Sequence, residues 1–510
     1  MTRRDMLGTS VAALAAATAT TAKADMQPNA SPQAGILDDY DALGLAKLVR
    51  DKQVTPGELL EEAIARAEAM NPLFNFMEQK NYDFARAAIK QGLPQGAFTG
   101  VPWLLKDLHT YLEGTVTQNG SRFYKGDVAT FTSDLVKRHE QAGFVIFGKT
   151  TCPEFGLTGT TENKVTGDTR NPWNPHYISG GSSGGAATAI AAGVLPAAHA
   201  TDGGGSIRIP SSCCGLFGMK PSRGRVPMGP PHTEGWGGLS VEHAISRTVR
   251  DSAAVMDVTW GLEPGSRYSA PAPDGTFLSQ VGRSPGRLRI ALMVAPLSHC
   301  PVDPECAAAA RAAAHLCESL GHYVEEAAPV IDVAALGEGA FAVISASLAV
   351  EIENRAKATG IVPGPDVLEP ITLAFLAYGQ HVSGADFVKG NNAFQAAAVA
   401  MSNFMQNYDV ILTPTLAEPP LPLGQIGLSP GVNFETWGKR AAQFTPFTQI
   451  ANMTGQPAMS VPLSMSSKGL PIGIQFIGRY GQEALLFRLA GQLEQAAPWK
   501  DRRPPHLTAA

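Results

Sequence analysis

The sequence carries little charge: 17% of its residues are Asp, Glu, Lys or Arg, against roughly 25% in an average domain. No run of five like charges occurs. The clustered basic footprint that phosphate backbones require is missing, so nucleic acid is excluded as the main partner. The net charge of −5 agrees. Long apolar runs are missing too. Beyond the N-terminus no segment reaches 18 apolar residues without a charge, so no membrane span is expected. The six cysteines fit no zinc spacing and no His-Glu-x-x-His occurs; no metal and no cofactor is implied. There is no Ser/Gly-rich linker and no internal repeat, which favours one large domain over residues 25–510.

What is present is a core. Of 510 residues, 44% are hydrophobic, enough to fold without disulfide staples. Cys152, Cys213, Cys214, Cys300, Cys306 and Cys317 read as buried free thiols. The alternative, for an exported protein, pairs Cys300 with Cys306. Glycine (53) and proline (38) are plentiful and aperiodic, the mark of many ordered turns.

The N-terminus reads as an address. Arg3-Arg4 is followed by a mild apolar stretch, Val11 to Ala22, and by Ala22-Lys23-Ala24. A charged start, a short apolar run and small residues at a cleavage site form a secretory signal. The paired arginines fit its twin-arginine form. Residues 1–24 are expected to be removed and the protein to be exported to the periplasm. The competing reading is an Ala-rich start with no targeting role.

Elements then alternate. Thr55-Pro56-Gly57-Glu58 is a capping box with proline at the first helical position. The helix it starts is expected to end at Asn71-Pro72, inside an N-terminal helical cap over about 38–95. Strands are expected over 101–106, 144–147, 288–294, 409–412 and 473–477. Helices are expected over 133–142, 186–192, 303–320 and 483–495. This alternation predicts an α/β fold with a large, buried, mixed or parallel sheet and helices on both faces.

Three motifs compete for the chemistry. Gly143 to Thr150 fits the GxxxxGK[ST] phosphate loop. Its four middle residues read as a strand, so Lys149 is better taken as a strand-end lysine. Gly181-Ser182-Ser183-Gly184-Gly185 fits GxSxG with Ser183 at an elbow. That elbow needs a preceding strand, and 171–176 reads as a turn-rich loop. The third motif is larger. Gly180 to Gly185 and Asp202 to Pro210 set Ser182 and Ser206 in two glycine-rich loops, 24 residues apart. Gly203, Gly204 and Gly205 offer backbone N–H donors to a developing oxyanion. A serine needs a base, and no histidine stands in a marked setting. Lys106, after Pro102-Trp103-Leu104-Leu105, is the candidate. Bringing it to neutrality near pH 7 requires a shift of roughly 3 units, about 4 kcal/mol of desolvation. The competing reading pairs Lys106 with Asp107 or turns it to solvent.

The segment from Gly180 to about Arg225 resembles the signature of the amidase signature family. Its marks are Gly-Gly-Ser-Ser-Gly-Gly, Asp202 to Pro210, Cys214-Gly215 and Lys220-Pro221. Gly100 to Asp107, Gly148-Lys149-Thr150, Asn171-Pro172-Trp173, Tyr408-Asp409 with Thr413-Pro414-Thr415, and Thr454 to Ala458 extend the likeness over roughly 40–500. Asp303 to Cys306 and the stretch from Met465 to Trp499 are most similar to members acting on cyclic amide oligomers. The resemblance implies a serine amidohydrolase for small carboxamides with a Ser–cis-Ser–Lys triad. Ser206 is then the nucleophile, Ser182 the bridge and Lys106 the base, with a cis peptide before Ser182. Ser183, Asp202 and Arg208 are implied as support, the last two as an ion pair. A small amide is the implied partner, and a homodimer is allowed. Two roles compete on the same fold: a glutamine-hydrolysing amidotransferase subunit, which needs partner proteins, and a non-catalytic binding protein. Gly203 and Cys213 depart from the family pattern, which usually has a larger residue at the first position and an aromatic one at the second. Specificity is expected from 225–450, which the motifs do not reach.

Overall fold

The computed structural model describes residues 35–230, 232–427 and 433–505. The expected signal segment lies outside them. Three strands, Met77–Lys80 (β1), Pro102–Lys106 (β2) and Val145–Thr150 (β3), form a small sheet in the order β1-β3-β2. Arg170–Asn171 (β4) and Asn174–Ile178 (β5) form a two-stranded hairpin. The remaining strands are Ala197–Asp202 (β6), Phe217–Lys220 (β7), Val241–Ser246 (β8), Arg289–Leu292 (β9), Tyr323–Glu326 (β10), Val410–Pro414 (β11), Ala458–Met465 (β12) and Pro471–Gly478 (β13). They make one eight-stranded sheet ordered β10-β9-β11-β13-β12-β7-β8-β6. The β10–β9 and β9–β11 pairs are parallel and the others antiparallel, so the sheet is mixed.

Alternation across the strands builds two cores. Ile290, Leu412, Ile474 and Phe476 face helices Val249–Thr259, Pro304–Ser319 and Glu483–Ala496. Ala291, Ile411, Ala458 and Ile477 face the other way, onto Val333–Thr359, Gly384–Phe404 and Gln449–Met453. The two sheets meet at β2 and β6. There the Lys106 N–H donates to Nδ1 of His199 at 3.2 Å. A side chain thus closes the seam where a carbonyl would close an ordinary ladder.

Several expectations need correction. The helix from Pro56 runs past Pro72 to Phe74. A proline this close to the C-terminus costs one hydrogen bond of the last turn, and Asn71 compensates: its side chain accepts the N–H groups of Phe76 and Met77. The N-terminal section also contains a strand, β1, because its extended residues pair with the free edge of β3. The stretch 171–176, read as a turn-rich loop, instead enters strands: Asn174–Ile178 forms β5 against β4. All six cysteines are free, so Cys300 and Cys306 are not bridged. Among the described residues one helix, Val333–Thr359, is long and apolar enough to cross a membrane. Here it packs between Pro370–Gly379 and Gly384–Phe404, and its Glu351 accepts the Tyr124 hydroxyl at 3.2 Å.

Candidate active site

Lys106 ends β2, a strand in which every residue is buried. Its Nζ donates to Ser182 Oγ at 2.6 Å and to Thr201 Oγ1 at 2.8 Å. Among the described residues no carboxylate is hydrogen-bonded to it, so the reading that paired it with Asp107 fails. Burial brings its pKa down to about 8, against the weaker pull of Cys152, Asp202 and Glu242. Burial alone does not single it out. Lys149 and Lys220 are also buried, and desolvation brings them down to about 8 and about 7. Lys149 donates to the Thr110 carbonyl and to Thr117, with Asp107 3.8 Å away. Lys220 donates to the Pro221 carbonyl. Of these three lysines, only Lys106 reaches a serine hydroxyl.

Glycine makes the Ser182 loop possible. A Cβ on Gly181 would lie 2.6 Å from the Thr160 carbonyl group, so the chain passes backbone to backbone there. The Gly181–Ser182 peptide is cis. Beneath the loop Cys213 is fully buried, its Sγ 3.1 Å from where a Gly180 Cβ would stand; the small thiol leaves room for this close approach. Ser183 is not an exposed elbow. Its hydroxyl donates to the Thr201 carbonyl at 3.1 Å and accepts the Thr201 N–H at 3.3 Å, tying the serine loop to β6.

The Ser206 loop is braced by a buried ion pair. Asp202 accepts Arg208 Nε at 3.0 Å and Nη2 at 2.9 Å, the bidentate geometry that guanidinium and carboxylate favour. Burial alone would raise the Asp202 pKa. The Arg208 charge and hydrogen bonds outweigh it and hold the carboxyl below its usual range. The same carboxylate accepts the N–H of Gly205 at 2.7 Å and of Ile207 at 3.1 Å. Gly205 is thereby removed from the oxyanion donors expected of the sequence: its N–H is already committed. Among the described residues the N–H groups of Gly203, Gly204 and Ser206 have no hydrogen-bond acceptor. Ser206 sits at the edge of burial, 9% exposed, whereas Ser182 is 1% exposed.

Four residues that sequence motifs did not single out complete the frame. Thr201 is the second hydroxyl on Lys106. Asn452 donates to Asp202 Oδ1 at 2.8 Å and to the Leu239 carbonyl at 3.1 Å, and accepts Arg208 Nη2 at 2.6 Å. Thr448 donates to the Gly204 carbonyl at 2.7 Å. Gln475 accepts Arg208 Nη1 at 2.6 Å. Thr201 and Asn452 stand one and two residues from quoted motifs and Gln475 lies inside a quoted stretch, but none was marked as part of the site; Thr448 lies outside every motif.

A family model described as Amidase matches residues 58–487. The chain belongs to the amidase signature family. It is an amidase, a hydrolase of carbon–nitrogen amide bonds. It is 37% identical over 484 residues to the 6-aminohexanoate-cyclic-dimer hydrolase of Paenarthrobacter ureafaciens, covering 92% of this chain and 97% of that one. A solved structure of 6-aminohexanoate cyclic dimer hydrolase superposes with a TM-score of 0.88 at 36% identity, over 93% of this amidase and all of that chain. A bacterial aryl acylamidase of the amidase signature family follows at a TM-score of 0.82 and 28% identity, over 90% and 96% of the two chains.

Proposed function

We propose that this amidase cleaves carboxamides of small molecules through an acyl-enzyme on Ser206, and that its substrates are amide oligomers of the cyclic or linear 6-aminohexanoate kind. The observation that carries the mechanism is the 2.6 Å contact between a desolvated Lys106 and Ser182. With Lys106 neutral, one N–H remains on Thr201 and the lone pair turns to the Ser182 O–H. Ser206 Oγ attacks the amide carbon and yields its proton to Ser182, which passes its own to Lys106. The oxyanion rests on the uncommitted N–H groups of the Gly203–Ser206 loop; one such donor is typically worth about 10² to 10³ in rate. The C–N bond breaks as Lys106 returns the proton, through Ser182, to the departing amine. Water then attacks the ester carbon, gives a proton to the same relay and frees Ser206. The likeness to the cyclic-dimer hydrolase over nearly the whole chain supports the substrate class.

The test is direct. The purified protein is given 6-aminohexanoate cyclic dimer, the linear dimer and glutamine. Hydrolysis of the first two is expected, with none by Ser206→Ala. A fluorophosphonate should label Ser206 in the parent alone. Turnover that survives Ser206→Ala would sink the mechanism; activity on glutamine alone would sink the substrate class.

A further inference from the structure

We propose that Trp236 sets the specificity of this site for an unbranched acyl chain, its indole forming the wall against which the chain bearing the scissile carbonyl lies; this rests on the hydrolase reading above. A Cβ on Gly203 would lie 2.7 Å from Cζ3 and 2.9 Å from Cε3 of Trp236. The ring therefore takes the space that any side chain at 203 would need. Gly203 stands three residues before Ser206, so the indole is fixed against the loop that presents the hydroxyl. Gly204 adds no side chain either, and the nearest atom to its absent Cβ is Gln449 Cγ at 3.6 Å. Against Gly203 stand the Trp236 indole and the Ser240 hydroxyl, whose Oγ lies 3.2 Å from where a Gly203 Cβ would be. The indole face takes methylenes of an extended chain.

The wall is held in place. Trp236 has φ 51°, a left-handed conformation that bulky residues rarely adopt and that clusters at ligand clamps. Its turn is closed by the Gly238 and Ser240 N–H groups on the Gly235 carbonyl, at 3.1 and 3.2 Å. A Cβ on Gly237 would meet Val343 Cγ1 at 2.9 Å, so the turn is pressed onto the Val333–Thr359 helix. Asn452 bonds both the Leu239 carbonyl and the Asp202 carboxylate. Wall and nucleophile loop are thus one rigid unit.

The experiment reads ammonia release from acetamide, butyramide and hexanamide. In the parent kcat/KM should rise with chain length. In Trp236→Ala the hexanamide-to-acetamide ratio should fall at least about tenfold, and in Trp236→Phe it should stay within about threefold of the parent. Gly203→Ala is a second perturbation of the same wall: the Gly203 backbone is not left-handed, so the strain of the added Cβ falls on the ring it meets. Its Cβ should push on the ring and lower the same ratio, with no further loss in the double variant. An unchanged ratio in Trp236→Ala, or additive losses in the double variant, would overturn the assignment of Trp236 alone. A parent that cleaves no amide and takes no fluorophosphonate would overturn the hydrolase reading, and this proposal with it.

Discussion

At the residue scale the proposed mechanism depends on a lysine that can lose its proton. With the Lys106 pKa at about 8, the base is mostly charged at neutral pH and becomes neutral above it. Activity is lost as pH falls through that value. The kcat/KM of the parent should therefore climb about tenfold per pH unit below pH 8 and level off above it. Lys106→Ala should lose several orders of magnitude and the limb together; a limb that persists in that variant would assign the titration to another group. Asp202→Asn tests the brace. It leaves Arg208 buried with its charge uncompensated, a defect worth about 3 to 5 kcal/mol, and replaces one of the two oxygens that anchor Gly205 and Ile207 by an N–H donor. A lower denaturant midpoint and a large fall in kcat are expected; an unchanged midpoint would contradict the brace. Ser182 and Ser206 stood out as candidates through the glycine-rich spacing around them, and Lys106 through the apolar strand it ends; the structure brings Lys106 and Ser182 together. Thr201, Thr448 and Asn452 were not, because a lone hydroxyl or amide acquires meaning only from what folds against it.

At the scale of elements, the strands and their capped helices were legible. Apolar runs ending in turns mark β2, β3, β11 and β13, and Thr55-Pro56 and Asp303-Pro304 mark helix starts through side chains that accept the first free N–H groups. The helical layer over 333–404 was not legible. Val333–Thr359 packs on several sides, so its apolar residues trace no single stripe. Small residues make that layer close. A Cβ on Gly339 would lie 2.8 Å from Cα of Gly390, and one on Gly379 only 2.1 Å from the Ser345 carbonyl oxygen. Because the Val333–Thr359 helix also backs the Trp236 turn, spreading it should reach the site. Gly379→Ala should cost about 1 to 3 kcal/mol by overpacking, lower the urea midpoint and reduce kcat/KM for long amides. A midpoint equal to the parent's would show that these helices need no such contact.

Over the whole molecule, the seam between the two sheets is filled by buried histidines. His199 closes it at Lys106, the His139 ring lies 5.8 Å from the His199 ring, and His243 Nε2 lies 2.9 Å from the Ser252 hydroxyl. Burial drives His199 and His243 down to about 3, and His139 well below its usual value; Lys106 adds to this at His199, and at the other two the histidines disfavour one another's protonation. All three stay neutral when folded and take up protons when unfolded below about pH 6.5. Each therefore removes about 1.4 kcal/mol of stability per pH unit as pH falls from 6.5 towards its folded pKa. Glu242, across from His199, has the opposite sign. Burial, opposed by His109 and Lys106, raises it to about 8. Its acid form is kept in the fold while the unfolded chain ionises, so its contribution is present below about pH 4.3 and is lost as pH rises to about 8. The parent's own profile sums these opposed contributions, so the comparison must be made variant by variant. His139→Phe should gain stability relative to the parent, by about 1.4 kcal/mol per unit, as pH falls below 6.5. Glu242→Gln should gain by a similar slope as pH rises from about 4.5 to 8. Denaturant midpoints taken across pH 4 to 8 read both slopes. Parallel curves for His139→Phe and the parent would mean that this imidazole is protonated inside the fold, and the seam would then have to hold a charge for which the described residues supply no partner.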